Sequence, residues 1–451
     1  MTVNILIFLS SILLSLVSFL IDEGDMYYLF GVQLFIMLIH LVWQRYIFYI
    51  FSPLILLIFY INISMFIGGW AFSSGYIQNE FFLNRFLEWK NMDVVTSVFI
   101  IMNAVIYYID SKYRLIYRHF ICDNKKIKQV TWSYVFVGFF VSIALFYNFT
   151  NLSFFGADGS PNQIFLITGF FIIAVFLVSR RDLIPVLVRV FIYLIMLYML
   201  VLISTYSKRD AIFAIFPIIF LEFYFQRYKY NARTIFGLLL ITLFIATAII
   251  YMSIVRGYGE FEIKGFFSNF GLIFEYLKSE KFLINFIDNM EFSFFYFNGY
   301  NSIEILLSNP HLMELGSTII KVLFIFIPRS VATFKPDSMI TIYTREVNPA
   351  YAEVGGSWPI NILSEFFWNF HFLSIIFVAI YSIIAIRLYY KYLHMFNHTS
   401  AGMIAFGMLV YMVHIMLIRG SGFDLFAIYC IFSLFLIISI DFMMKIIRKR
   451  R

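Results

Sequence analysis

Twelve apolar stretches, most of them 15–25 residues long, run through this chain, and no other feature restricts its fold so strongly. They fall at 3–21, 27–44, 46–67, 94–109, 131–149, 163–179, 190–206, 211–225, 234–254, 359–386, 401–418 and 424–442. A helix rising ~1.5 Å per residue needs about that length to cross a hydrocarbon layer ~30 Å thick. A transmembrane barrel would show segments of roughly ten residues with alternating polarity. These runs do not alternate, so the pattern is helical. Hydrophobic residues make up 62% of the chain and charged residues 13%. A soluble fold of this length has too little interior to hide that much apolar surface. The expectation is an all-α polytopic membrane protein of about twelve spans, forming a single integral membrane domain over 1–451.

The remaining charges orient the spans. Lys445, Arg448, Lys449, Arg450 and Arg451 mark the C-terminal tail as cytoplasmic. Twelve spans then put the N-terminus on the same side. On that arrangement the inner loops hold about 20 basic and 5 acidic residues, and the outer segments about 13 and 21. The net charge of +7 is therefore a signal of topology, and no nucleic-acid partner is expected. Cys122 falls in an inner loop and Cys430 in a span, so no disulfide is expected. The apolar N-terminus lacks a basic leader and a small-residue cleavage site, which predicts a retained first span.

One long segment, 255–358, is expected on the extracytoplasmic side as a partly structured loop. Its aromatic-rich part, 292–307, is expected to lie flat at the membrane interface. The apolar run 319–327 is too short to span and is expected to pack against the membrane or re-enter it. The 359–386 stretch is long for one span, which suggests that its first part dips into the membrane and turns back.

Arginine is disfavoured on the outer side, yet several lie there in turn-like contexts. They are Arg209 in Tyr-Ser-Lys-Arg-Asp, Arg256 in Val-Arg-Gly-Tyr-Gly, Arg329 in Ile-Pro-Arg-Ser, Arg345 in Tyr-Thr-Arg-Glu and Arg419 in Ile-Arg-Gly-Ser-Gly. Guanidinium groups pair bidentately with phosphate oxygens and keep their charge when partly desolvated. Together with Lys335 they form a candidate set for gripping an anion, most simply a pyrophosphate. The plainer reading of any one of them is a snorkelling side chain or a helix C-cap partner. Asp424 and Asp210, close in sequence to Arg419 and Arg209, are expected to orient those arginines. Glu365 lies near the outer end of the 359–386 stretch, where an unpaired carboxylate is costly. It is the candidate general base, with Glu353, His371 and His414 as alternatives, and pairing with an arginine is its competing role. The seven histidines are scattered and no metal-ligand spacing is visible, so no metal or other cofactor is expected. Trp358, Trp368, Tyr343 and Tyr351 are candidates for stacking on sugars or, more simply, for the aromatic belt.

The order Tyr-Ser-Lys-Arg-Asp-Ala-Ile at 206–212, Val-Arg-Gly-Tyr-Gly at 255–259, Ile-Pro-Arg followed by Lys-Pro at 327–336, and Ile-Arg-Gly-Ser-Gly-Phe-Asp at 418–424 resembles the O-antigen polymerase (Wzy) family. The resemblance covers roughly residues 200–430, and the first half matches only in hydropathy. It implies a GT-C-like, metal-independent glycosyltransferase of the bacterial inner membrane. It further implies transfer of a glycan from undecaprenyl pyrophosphate to a new lipid-linked repeat unit at the outer face, for O-antigen, capsule or a related polymer. Membrane lipid and a chain-length regulator protein are the implied partners. A lipid-linked glycan flippase and the O-antigen ligase are the alternatives. A flippase should carry charges deep in several spans and show repeat symmetry.

Overall fold

The computed structural model describes residues 2–43, 51–77, 80–122, 130–148, 163–203, 208–226, 275, 278, 284, 287, 291–325, 327, 331, 334–395 and 400–449. Every regular element among them is helical. In chain order these are α1 (Thr2–Val17), α2 (Tyr27–Trp43), α3 (Pro53–Ser73), α4 (Glu80–Glu88), α5 (Met92–Cys122), α6 (Trp132–Asn148), α7 (Gln163–Ser179), α8 (Val186–Ile203) and α9 (Lys208–Gln226). They continue as α10 (Phe292–Ser308), α11 (Ser317–Ile320), α12 (Met339–Val347), α13 (Pro349–Glu353), α14 (Ile362–Phe370), α15 (Ser374–Met395), α16 (Ala401–Ile418) and α17 (Phe423–Lys449). Six stretches of helix among the described residues are long and apolar enough to cross a membrane, and five more apolar helices are shorter. The expected span at 234–254 lies outside the described residues, as does the start of the 255–358 segment.

Burial patterns identify the solvent. Along α1, Ser11 and Ser15 are buried while Leu6, Leu9, Leu13 and Leu16 are exposed, Leu13 at 62%. A soluble amphipathic helix does the reverse. On α15 the exposed positions are Ile376, Ile380, Ile384 and Leu388, a continuous stripe at four-residue spacing. On α8, Leu187 and Phe191 are exposed and Arg189 between them is buried. Apolar stripes of this length outside and polar groups inside require hydrocarbon around the helices. The chain is an all-α, membrane-embedded protein.

It divides into two compact units. The first comprises residues 1–109, 228–313 and 366–379. Here α10 packs on α3 and α4, and Gly68 and Gly69 on α3 allow the approach. A Cβ at Gly68 would lie 2.5 Å from the Phe292 carbonyl oxygen, and one at Gly69 would lie 2.9 Å from the Tyr296 ring. Twelve of the seventeen α10 residues are buried. The 292–307 segment is thus an interior helix, and the expectation of a flat interfacial one is corrected. Trp89 stacks on Tyr300, with ring centroids 5.4 Å apart, and its Nε1 donates to Asn301 Oδ1. Buried Glu304 accepts from the backbone N–H groups of Lys90 and Asn91 at 3.1 and 3.2 Å and from Asn91 Nδ2 at 3.0 Å. This carboxylate satisfies donors just ahead of α5 from more than two hundred residues away, and its charge suits a helix N-terminus. Between α2, α3 and α5 runs a polar seam. Gln33 Nε2 donates to the Ile100 carbonyl at 2.9 Å, Asn103 Nδ2 reaches both Gln33 and Asn62 at 3.4 Å, and His40 Nδ1 meets the Tyr107 hydroxyl at 2.6 Å.

The second unit comprises residues 110–227, 314–365 and 380–451. Its centre is α16, which packs against α7, α9 and α17 and is buried along most of its length. Small side chains set the spacings around it. A Cβ at Gly169 would meet Ser142 Oγ at 2.6 Å, and one at Gly407 would overlap the Tyr392 ring. Arg189 holds Glu222 in a bidentate pair at 2.8 and 2.9 Å, and the Tyr193 hydroxyl donates to the same carboxylate at 2.8 Å. The pair ties α8 to α9.

The long 359–386 stretch contains two helices. α14 ends at Phe370, His371 takes φ 50°, a single 3-10 turn follows, and α15 begins at Ser374. A non-glycine residue in the left-handed region breaks the helix cleanly. From Ile362 to Asn369 every α14 residue is buried, whereas α15 keeps its apolar stripe exposed.

Candidate functional site

The α16–α17 turn starts the site. Gly420 takes φ +99° and Gly422 φ +82°, a conformation natural to glycine. A Cβ on Gly420 would fall 1.8 Å from the Ile360 carbonyl oxygen. The Ile360 backbone therefore lies directly against the turn, and a side chain at Gly420 would push it away. Arg419 is the C-cap of α16, its N–H donating to the Met416 carbonyl at 3.1 Å, and it is partly buried.

Asp424, in the first turn of α17, pairs with Lys321 Nζ at 2.6 Å. Lys321 follows directly on α11, and its side chain is only 8% exposed. The stretch around it has two faces. Leu315, Ile320 and Leu323 are exposed, while Thr318, Lys321 and Ile325 are buried. The segment thus has an exposed apolar side and a buried side that carries Thr318 and Lys321. On the buried side Thr318 Oγ1 donates to Glu365 Oε1 at 3.1 Å. Glu365 is 2% exposed and sits in the first turn of α14, where a negative charge is favoured by the helix dipole. Four side chains from three elements thus converge: Glu365 and Thr318, Lys321 and Asp424.

The far end of the 317–325 segment is held by Lys335. Its ammonium donates to the carbonyls of Ile325 and Ile327 at 3.3 and 3.4 Å, and the residue is buried. A cation there satisfies carbonyls that a helix end leaves open. Lys335→Met is expected to lower the stability of the protein in detergent by about 1.5–3 kcal/mol, the range for hydrogen bonds to a charged group. A thermal unfolding midpoint unchanged from that of the natural protein would refute this role.

The other candidates fall as follows. Arg345 is exposed and pairs with Asp337 at 2.7 Å. Arg256 and Arg329 lie outside the described residues, and Arg209 is described only by its backbone, in the first turn of α9. Asp424 was expected to orient Arg419; its ion pair is with Lys321, 103 positions away in sequence. Trp368 is wholly buried, its Nε1 donating to the Ser302 carbonyl at 2.7 Å, and Tyr343 is wholly buried as well. Both fill the interior, which removes them as sugar platforms. Tyr351 and Trp358 pair at the surface with centroids 6.0 Å apart, and Tyr351 lies over Gly356, where a Cβ would be 2.4 Å from the ring. Lys321 and Thr318 were missed by sequence reasoning. A lysine inside a short apolar run was the available signal, because such a charge needs a partner.

Among the described residues no group of three or more His, Cys, Asp or Glu side chains is placed to hold a metal ion. No family model, curated protein or solved structure matches the chain.

Proposed function

We propose that this protein polymerises the lipid-linked oligosaccharide repeat units of a bacterial surface polysaccharide, O-antigen or capsule. The observation that carries the proposal is the buried Glu365 carboxylate in the first turn of a buried half-helix, beside the Lys321–Asp424 pair and the Arg419-bearing turn. In this reading a hydroxyl of the incoming repeat unit attacks the anomeric carbon of the growing glycan. Glu365 takes the hydroxyl proton as the new glycosidic bond forms. The bond from the anomeric carbon to the pyrophosphate oxygen breaks, and undecaprenyl pyrophosphate leaves. Arg419, with Arg209, Arg256 and Arg329, neutralises the charge gained by the leaving group, which counts most where water is scarce. Tyr351 and Trp358 offer faces on which sugar rings stack. The enzyme is then a metal-independent glycosyltransferase of the GT-C type in the inner membrane, with both termini cytoplasmic and 255–358 outside. A separate chain-length regulator is its expected partner.

Purified protein given the lipid-linked repeat unit should yield a ladder of longer glycans and free undecaprenyl pyrophosphate. In cells, loss of the gene should leave surface glycan one repeat unit long. Total absence of surface glycan would favour a flippase, and long chains never attached to lipid A core would favour a ligase.

A further inference from the structure

The first turn of α14 carries two polar atoms that the fold leaves unused. Asn361 Oδ1 accepts the Ser364 N–H at 3.0 Å and so acts as the helix N-cap. Its other amide atom, Nδ2, has no hydrogen-bond partner among the described residues, and neither has Ser364 Oγ. Both residues are buried, at 1% and 0% exposure. A helical serine usually bonds back to the carbonyl three or four residues earlier. For Ser364 the residue four back is Ile360, whose carbonyl is packed against Gly420.

Buried polar groups without partners are rare in native proteins, and each asks for a cause. Asn361 lies one turn before both Ser364 and Glu365, at i,i+3 and i,i+4, so its free amide atom belongs to the turn that carries the serine and the carboxylate. An amide N–H, a hydroxyl able to donate or accept, and a carboxylate around one helical turn match the requirements of a sugar hydroxyl pair.

We propose that Asn361 Nδ2 and Ser364 Oγ form a hydroxyl-binding subsite, which takes vicinal hydroxyls of a carbohydrate and holds one of them for Glu365. It rests on the polymerase reading for the identity of that carbohydrate, the non-reducing end of the incoming repeat unit. The residues bind and position; the proton goes to Glu365.

A structural serine and a ligand-binding serine respond in opposite ways to deletion. Removing a hydroxyl that has no internal partner leaves nothing unpaired, so Ser364→Ala should unfold at the same temperature as the natural protein or higher. Its kcat/KM for chain extension should fall about tenfold, the loss of one good hydrogen bond. Ser364→Cys, close in size with a weaker donor, should fall between the two. Both variants are made in the full chain and assayed with lipid-linked repeat unit extracted from cells lacking the gene. A second arm measures binding of the free, delipidated repeat-unit oligosaccharide to the full chain in detergent by the shift in unfolding midpoint. The natural protein should shift and Ser364→Ala should shift less. The subsite is overturned by unchanged kcat/KM in Ser364→Ala, by a lowered midpoint with unchanged oligosaccharide binding, or by no shift in the natural protein. If the natural protein binds the oligosaccharide in this way yet extends no chain, the polymerase reading fails and the subsite stands.

Discussion

Glu365→Gln is expected to stop chain extension while leaving the protein folded. Glutamine keeps the size of the side chain and an amide oxygen that still accepts from Thr318 Oγ1, the 3.1 Å bond of the natural protein. What it loses is the ability to take a proton. General base catalysis contributes about 10²–10⁴-fold to rate, so the initial rate with purified protein and lipid-linked repeat unit should drop within that range. Glu365→Asp keeps the chemistry but withdraws the carboxylate by one methylene, and should lose less. The unfolding midpoint of both should stay near that of the natural protein. A Gln variant extending chains within tenfold of the natural rate would remove Glu365 from the reaction and leave it a packing residue. A variant that no longer folds would show that the carboxylate is needed for structure; the Asp variant then decides the chemistry.

The membrane architecture was legible because it depends on composition over whole segments. The Leu and Ser positions of α1 already differ in their spacing, and hydrocarbon reverses which of them face outward. The break after Phe370 was visible as excess length in 359–386, although His371 gives no local warning of a positive φ. The 292–307 segment was misread because aromatic richness is the same for an interfacial helix and a buried one. The deciding fact is on another helix, where Gly68 and Gly69 make room. The burial of Glu365 was legible from its place in an apolar stretch. Its partners were not, since Thr318 lies 47 positions away and no local spacing predicts the contact. Asp424 was read through its neighbour in sequence, Arg419, and the fold gave it Lys321 instead. Sequence proximity is a weak guide to ion pairing where helices bring distant segments together.

That Lys321–Asp424 pair should carry a large stability effect in the second unit. The two side chains are 8% and 15% exposed and meet at 2.6 Å, so each is largely removed from water. Lys321→Met leaves Asp424 without its cation, and breaking a buried pair from one side costs about 3–5 kcal/mol. Asp424→Asn should do the same from the other side, because an ammonium is harder to leave alone in an apolar surround than an amide. The double variant Lys321→Met/Asp424→Asn has no uncompensated charge and should recover most of the loss, a coupling that only contacting residues show. Function should not recover with it. The pair fastens the 317–325 segment to α17, and Thr318, one turn before Lys321, holds the Glu365 carboxylate. A stable double variant without the tether should therefore extend chains slowly, since misplacing a base by even ~1 Å costs rate steeply. Unfolding midpoints and extension rates for both singles and the double measure this directly. If each single variant lost less than ~1 kcal/mol, as exposed pairs do, the pair would be a surface contact and the segment would need another anchor. If the double variant were both stable and fast, the geometry around Glu365 would not depend on the tether at all.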